Sequence, residues 1–257
     1  MTLDKIQVIA KTTFKEIWKS KILVNVFFIG LAMMGVTFVA TEFTYGVPER
    51  VALDFGLGML SLSSLGISLF LGVGLLSKEI DSRTVYMVIS RPVPRYSFIL
   101  GKLLGLMGIQ VVNVLILSLM TVSATLLLGG QISGLLVWAI VFTLIESLML
   151  LLVVVLISLL ANTVLSVLLS VVLLLLGHII RETQEISFVA SNPILVKILD
   201  FYHFILPAFY KLNLKSEVIY KSQISSSYIL MSGGYGILYS LFLLMMIVYF
   251  FNKKNLD

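Results

Sequence analysis

Residues 135–180 read LLVWAIVFTLIESLMLLLVVVLISLLANTVLSVLLSVVLLLLGHII. A helix crosses a bilayer with roughly 20 apolar residues, so this run is far too long for one span. Its break is Ala161-Asn162-Thr163, which reads as a tight turn between two antiparallel spans, Leu135–Leu160 and Val164–Ile180. Working outward, four more segments meet the same length requirement: Ile22–Thr41, Val51–Leu76, Ile99–Leu128 and Tyr228–Phe251. The fold class is therefore an all-α integral membrane protein with six transmembrane helices.

Composition agrees. Of 257 residues, 59% are hydrophobic and only 12% are charged, against about 25% charged in a soluble domain. With no cysteine, disulfides and thiolate metal sites are excluded. Two histidines, His178 and His203, argue against a multi-histidine metal centre. The formal charge of +5 is read as cationic inside loops and not as a nucleic-acid surface. The N-terminus lacks the short apolar core and cleavage site of a signal peptide.

Lysines and arginines set the expected orientation. Lys5, Lys11, Lys15, Lys19 and Lys21 precede span one, Lys78, Arg83, Arg91, Arg95 and Lys102 lie between spans two and three, and Lys253 and Lys254 follow span six. The first outer loop has Arg50 against Glu42, Glu49 and Asp54. Both termini are thus expected in the cytoplasm, with the protein multi-pass in the cell's inner (plasma) membrane. The segment between spans five and six carries Arg181, Lys197, Lys211, Lys215 and Lys221 on the outer side, but it is long and its charges lie mostly away from span ends.

Two regions flank the 22–257 membrane domain or interrupt it. Residues 1–21 predict an amphipathic helix at the interface, with Leu3, Ile6, Ala10, Phe14 and Ile17 on one face and Asp4, Lys5, Lys11, Lys15, Glu16 and Lys19 on the other. That face can lie on lipid or dock a partner. In the outer segment 182–227, Asn192-Pro193 predicts a helix start. Lys197, Asp200 and His203 then fall on one side, as a catalytic line or as the wet face of an interfacial helix; a second short helix is expected after Asn213. No long-period repeat is visible, which counts against a repeat-built secondary carrier.

Some polar residues inside spans need a reason. Glu146 lies near the middle of span four, where a carboxylate is costly. It is expected either to be protonated or to pair with Gln110 or Asn113 of span three, as structural glue or in transport; it and His178 read as too isolated to form a catalytic site. Ser64, Ser68 and Gly72 recur every four residues in span two. Such a stripe allows close helix approach as an internal seam, a dimer interface or the lining of a path.

Between spans two and three lies SKEIDSRTVYMVISRPVPRYSFILGK, Ser77 to Lys102, with seven charged residues and two prolines. Glu79 to Ser90 predicts a short helix. Arg91-Pro92 and Val93-Pro94 break it, because a residue before proline is pushed toward extended geometry, and Pro94 can start the next helix. Glu79, Arg83-Thr84, the Arg91-Pro92-Val93-Pro94-Arg95 elbow and Gly101-Lys102 resemble the signature loop of ABC transporter permeases of the type-2 exporter class. LPAFYKLNLKSEV, Leu206 to Val218, is similar to that family's outer segment before the last span.

The resemblance implies a cytoplasmic coupling helix within 77–102, short outer helices, and coupling to an ATPase through Glu79, Arg83, Thr84, Pro92, Pro94, Arg95, Gly101 and Lys102. It implies two permease chains, identical or not, with two copies of a separate ABC ATPase subunit that binds ATP and Mg. No cofactor is expected on this chain, nor catalysis. A phosphate loop would read GxxxxGK[ST], whereas Gly101-Lys102 is followed by Leu103 and preceded by Tyr96 at the first glycine position. The expected function is ATP-driven export of a lipid, peptide, drug or polymer. Alternatives are an ABC membrane subunit doing mechanical work or protein maturation, a secondary carrier, or a membrane-embedded enzyme. Clustered catalysts for the last do not stand out.

Overall fold

The structure, a computed structural model, describes residues 2–43, 48–81, 94–185, 191–192, 194–197, 199, 206–220 and 224–253. For residues 2–3, 76–81, 181–182 and 184–185 it describes the backbone alone. No strand occurs among the described residues. The helices are α1 (Thr2–Lys19), α2 (Ile22–Glu42), α3 (Pro48–Asp81), α4 (Arg95–Leu127), α5 (Gly134–Leu160), α6 (Thr163–Glu185), α7 (Lys215–Ile219) and α8 (Ser226–Lys253), with a 3-10 turn at Phe209–Leu212 before α7. Residues 194–197 and 199 are also helical.

Six of these, α2 to α6 and α8, are long and apolar enough to cross a membrane. Their bounds lie within a few residues of those read from the sequence, and the chain is a multi-pass membrane protein. α3 is the longest, at 34 residues. At 1.5 Å per residue it measures about 51 Å, against roughly 30 Å of hydrocarbon, so it outruns the bilayer.

Local chemistry explains the breaks. Ser133 caps α5, its side chain accepting from Leu136 N at 3.2 Å. Between α5 and α6 the backbone turns extended at Ala161, and the Asn162 side chain accepts from Leu165 N at 2.9 Å. A helix-ending turn and an N-cap thus occupy two adjacent residues, which makes the hairpin tight. Past the end of α4 at Leu127 the chain turns at Gly129, φ 81°, and Gly130 N donates to Thr125 O at 2.9 Å. Lys21 joins α1 to α2 in the left-handed region, at φ 64°.

α5 is the central helix, packing on α3, α4, α6 and α8; Leu150, Leu151, Leu152, Val154 and Val155 are fully buried. Since lipid tails are as apolar as leucine, close fit holds such a bundle. Gly72 supplies it on α3, where a β-carbon would sit 2.8 Å from Val154. At one end of the bundle α1 lies on α4: methyl groups on Gly101 or Gly105 would crowd Ile9 and Thr13, both at 2.7 Å. The apolar side of α1, including Ile9, Phe14 and Ile17, therefore packs on protein. At the opposite end, the 3-10 turn and α7 fold back onto α3, α5 and α6, burying Ala208, Phe209, Leu212, Leu214 and Val218.

Candidate functional site

Two places bring the sequence-predicted residues together. The first is the end that carries α1. Pro94 is extended (ψ 141°) and α4 starts at Arg95, whose guanidinium donates to Asn252 O of α8 at 3.5 Å. Gly101 receives α1, and Lys102 lies 3.9 Å from Glu16 of α1 and 5.9 Å above the Phe98 ring. Glu79 lies on the backbone of α3 where it runs past the bilayer length. Arg83, Thr84, Arg91 and Pro92 lie outside the described residues, as does most of the expected Glu79–Ser90 helix. A cavity of about 210 Å³ opens beside α1, lined by Thr13, Glu16, Phe70, Leu75, Lys102 and Leu106.

The second place is a buried polar layer at mid-bundle. Ser64 and Ser68 are fully buried, and Gly72 lies on the same stripe of α3, packed internally against α4 and α5. Gln110 Nε2 donates to Ser64 O at 2.9 Å, and Asn113 Nδ2 to Ser64 Oγ at 3.3 Å. Ser68 Oγ lies 2.7 Å from Ser147 O on α5. The two amide N–H groups are thus turned to Ser64, and neither residue meets Glu146.

Glu146 pairs instead with His178. Oε1 of the carboxylate lies 3.1 Å from Nε2 of the imidazole, an ion-pair contact in which the buried oxygen has no aligned hydrogen-bond donor. Glu146 is 2% exposed, while the His178 side chain is 28% exposed. Nδ1 of His178 lies 3.0 Å from Leu174 O. A carbonyl only accepts, so Nδ1 carries a proton. The histidine ring also lies parallel to Phe209, within 9° and 6.0 Å between centres.

Sequence reasoning missed this pair, although the hairpin carried the signal. Glu146 is 15 residues before Ala161 and His178 is 16 after Asn162. Antiparallel helices leaving one tight turn place such residues at the same depth, about 22 Å from it. Above the pair, Lys215 of α7 feels Glu146 and Asp54. Burial pushes the Lys215 ammonium below its usual range, and the two carboxylates pull it part of the way back.

The chain matches no family model and no curated protein.

Of the Lys197-Asp200-His203 line, Lys197 is exposed on a helical turn and the other two lie outside the described residues. Asn192 Oδ1 accepts from Ile194 N at 3.1 Å, which starts that turn. Among the described residues no group of three or more His, Asp or Glu is placed to hold a metal ion.

Proposed function

We propose that this chain is the membrane-spanning permease subunit of an ATP-driven ABC exporter, working as a pair of permease chains with two ATPase subunits. One observation carries the reading. A helix that outruns the bilayer leads into a charged stretch, an Arg-Pro-Val-Pro-Arg elbow, and a Gly-Lys at the next span. A rigid rod joined to a proline elbow moves as a lever. Force applied to the stretch after Glu79 reaches α3 directly and α4 through Pro94–Arg95.

The α1 end is then cytoplasmic, consistent with the lysines of α1 and of the loop. α1 clamps the base of α4, so motion of the elbow is shared between α1 and α4. The segment Leu206–Val218 lies at the outer end. Substrate moves across or out of the membrane on ATP hydrolysis by the partner.

The test is co-purification of the tagged chain with an ABC ATPase encoded alongside it, followed by ATPase assay in lipid. Glu79→Lys and a Pro92→Ala/Pro94→Ala double variant are expected to lose at least tenfold of the permease-stimulated ATPase rate while the chain still reaches the membrane. Normal stimulation in both variants, or no ATPase in the purified complex, rejects the proposal.

A further inference from the structure

We propose that Glu146 and His178 form an intramembrane proton-binding site, and that the single proton held between them keeps the segment Leu206–Val218 seated on α6. The site goes beyond the exporter reading and does not depend on it.

Proton counting carries the inference. With Nδ1–H directed at Leu174 O, Nε2 faces Oε1 at 3.1 Å. One proton between those atoms makes the pair neutral, whichever atom holds it. Remove that proton, and a carboxylate faces a nitrogen lone pair in a buried site. Add a second, and an imidazolium faces a neutral acid. Either change leaves one uncompensated charge where charge is expensive.

Among the described residues, no surrounding group supplies a substitute. The described charges that act on His178 are Glu146 and Lys215. Lys215 of α7 is itself drawn toward both Glu146 and Asp54 of α3. α4 contributes the amides Gln110 and Asn113, committed to Ser64. From α8, Tyr235 accepts from Ala208 N at 2.9 Å and has Lys211 over its ring at 4.7 Å; the Tyr239 ring lies beside it, tilted by 37°.

The same histidine holds the segment. Phe209 stacks parallel to the imidazole, with 6.0 Å between ring centres. One residue earlier, Gly177 admits the Pro207 carbonyl so closely that any side chain there would collide with it. Ala208 is 3% exposed beneath this contact. Charging the pair in either direction draws water toward His178, and water enters by lifting Pro207–Phe209.

The chain has no cysteine, so a single introduced thiol reports the seating. Ala208→Cys is placed in the full-length protein in lipid nanodiscs, and its maleimide labelling rate is divided by that of the exposed Ser227→Cys, which cancels thiol ionisation. From about pH 5 to about pH 10, the ratio should pass through a minimum. It should rise on both sides by up to about tenfold per pH unit, the slope of one proton.

The variants separate a proton site from mere packing. Glu146→Gln leaves a histidine that is neutral at high pH, so the alkaline rise is lost and the acid rise remains. His178→Gln leaves an acid that is neutral at low pH, so the acid rise is lost and the alkaline rise remains. The double variant should be flat, and Lys215→Met should keep both rises. A flat wild-type ratio overturns the proposal. So does uniformly faster labelling in the single variants with both rises retained. If either single variant fails to fold, the double variant decides: loss of both rises supports the site, and their persistence rejects it.

Discussion

Lys21 shows how one residue sets the course of a helix pair. Its left-handed backbone (φ 64°) ends α1 and turns the chain into α2, a conformation that costs a β-carbon-bearing residue about 1–2 kcal/mol. Lys21→Gly should therefore stabilise the protein by up to about 1 kcal/mol, and Lys21→Val should destabilise it, both read as thermal unfolding in detergent. Gly129 is the mirror case, since φ 81° is already filled by glycine. Gly129→Ala should cost about 1 kcal/mol in the same measurement. The Lys21 angle was not legible in the sequence, because lysine carries no mark of a left-handed turn. Glu146 was legible as a residue needing a partner, because carboxylates inside spans are costly. Its partner was not, because Gln110 and Asn113 share its class of polarity, and only the turn register singles out His178.

At the scale of elements, the spans were legible to within a few residues, because apolar length is a direct demand of the bilayer. The place of α1 was not. An apolar stripe with helical period fits a lipid surface or a docked partner, and the sequence left both open. In the structure that stripe meets α4 of the same chain, at Gly101, Gly105 and Gly108. The same logic separates two glycines of α3. A β-carbon on Gly72 would press on Val154, whereas one on Gly74 would meet nothing within 4 Å. Gly72→Val should lower stability by about 1–3 kcal/mol through overpacking. Gly74→Ala should be neutral or stabilising by up to about 1 kcal/mol through helix propensity. Equal effects at the two positions would contradict the packing of α3 on α5.

Taken whole, the molecule is built differently at its two ends. One end carries α1, the tail of α3 and the start of α4, where Gly101 lies against α1, Lys102 faces Glu16 and Arg95 reaches Asn252 O of α8. The other end is closed by Phe209–Val218, resting on α6 through Gly177 and His178. Between them lies the Ser64–Gln110–Asn113 layer, fully buried. If the α1 end receives work from an ATPase, restraining α1 should uncouple it. A cleavable bifunctional thiol linker between Glu16→Cys and Lys102→Cys, whose native side chains face each other at 3.9 Å, is expected to lower permease-stimulated ATPase activity at least tenfold, restored by cleaving the linker. Unchanged activity in the fully cross-linked protein would place the moving parts elsewhere.

The two-residue turn at Ala161–Asn162 also bears on how the chain enters the membrane. A ribosome delivers α5 first, with Glu146 at its centre and no counter-charge yet made. A charged side chain at that depth costs about 2.5–3.5 kcal/mol in insertion. Because α6 follows after only two residues, His178 arrives while α5 is still at the insertion machinery, and both helices can partition into lipid as one neutral unit. A longer connector would let α5 be judged alone. Lengthening it with a flexible glycine-serine stretch should therefore lower the fraction of chains that integrate α5, and Glu146→Gln should restore it.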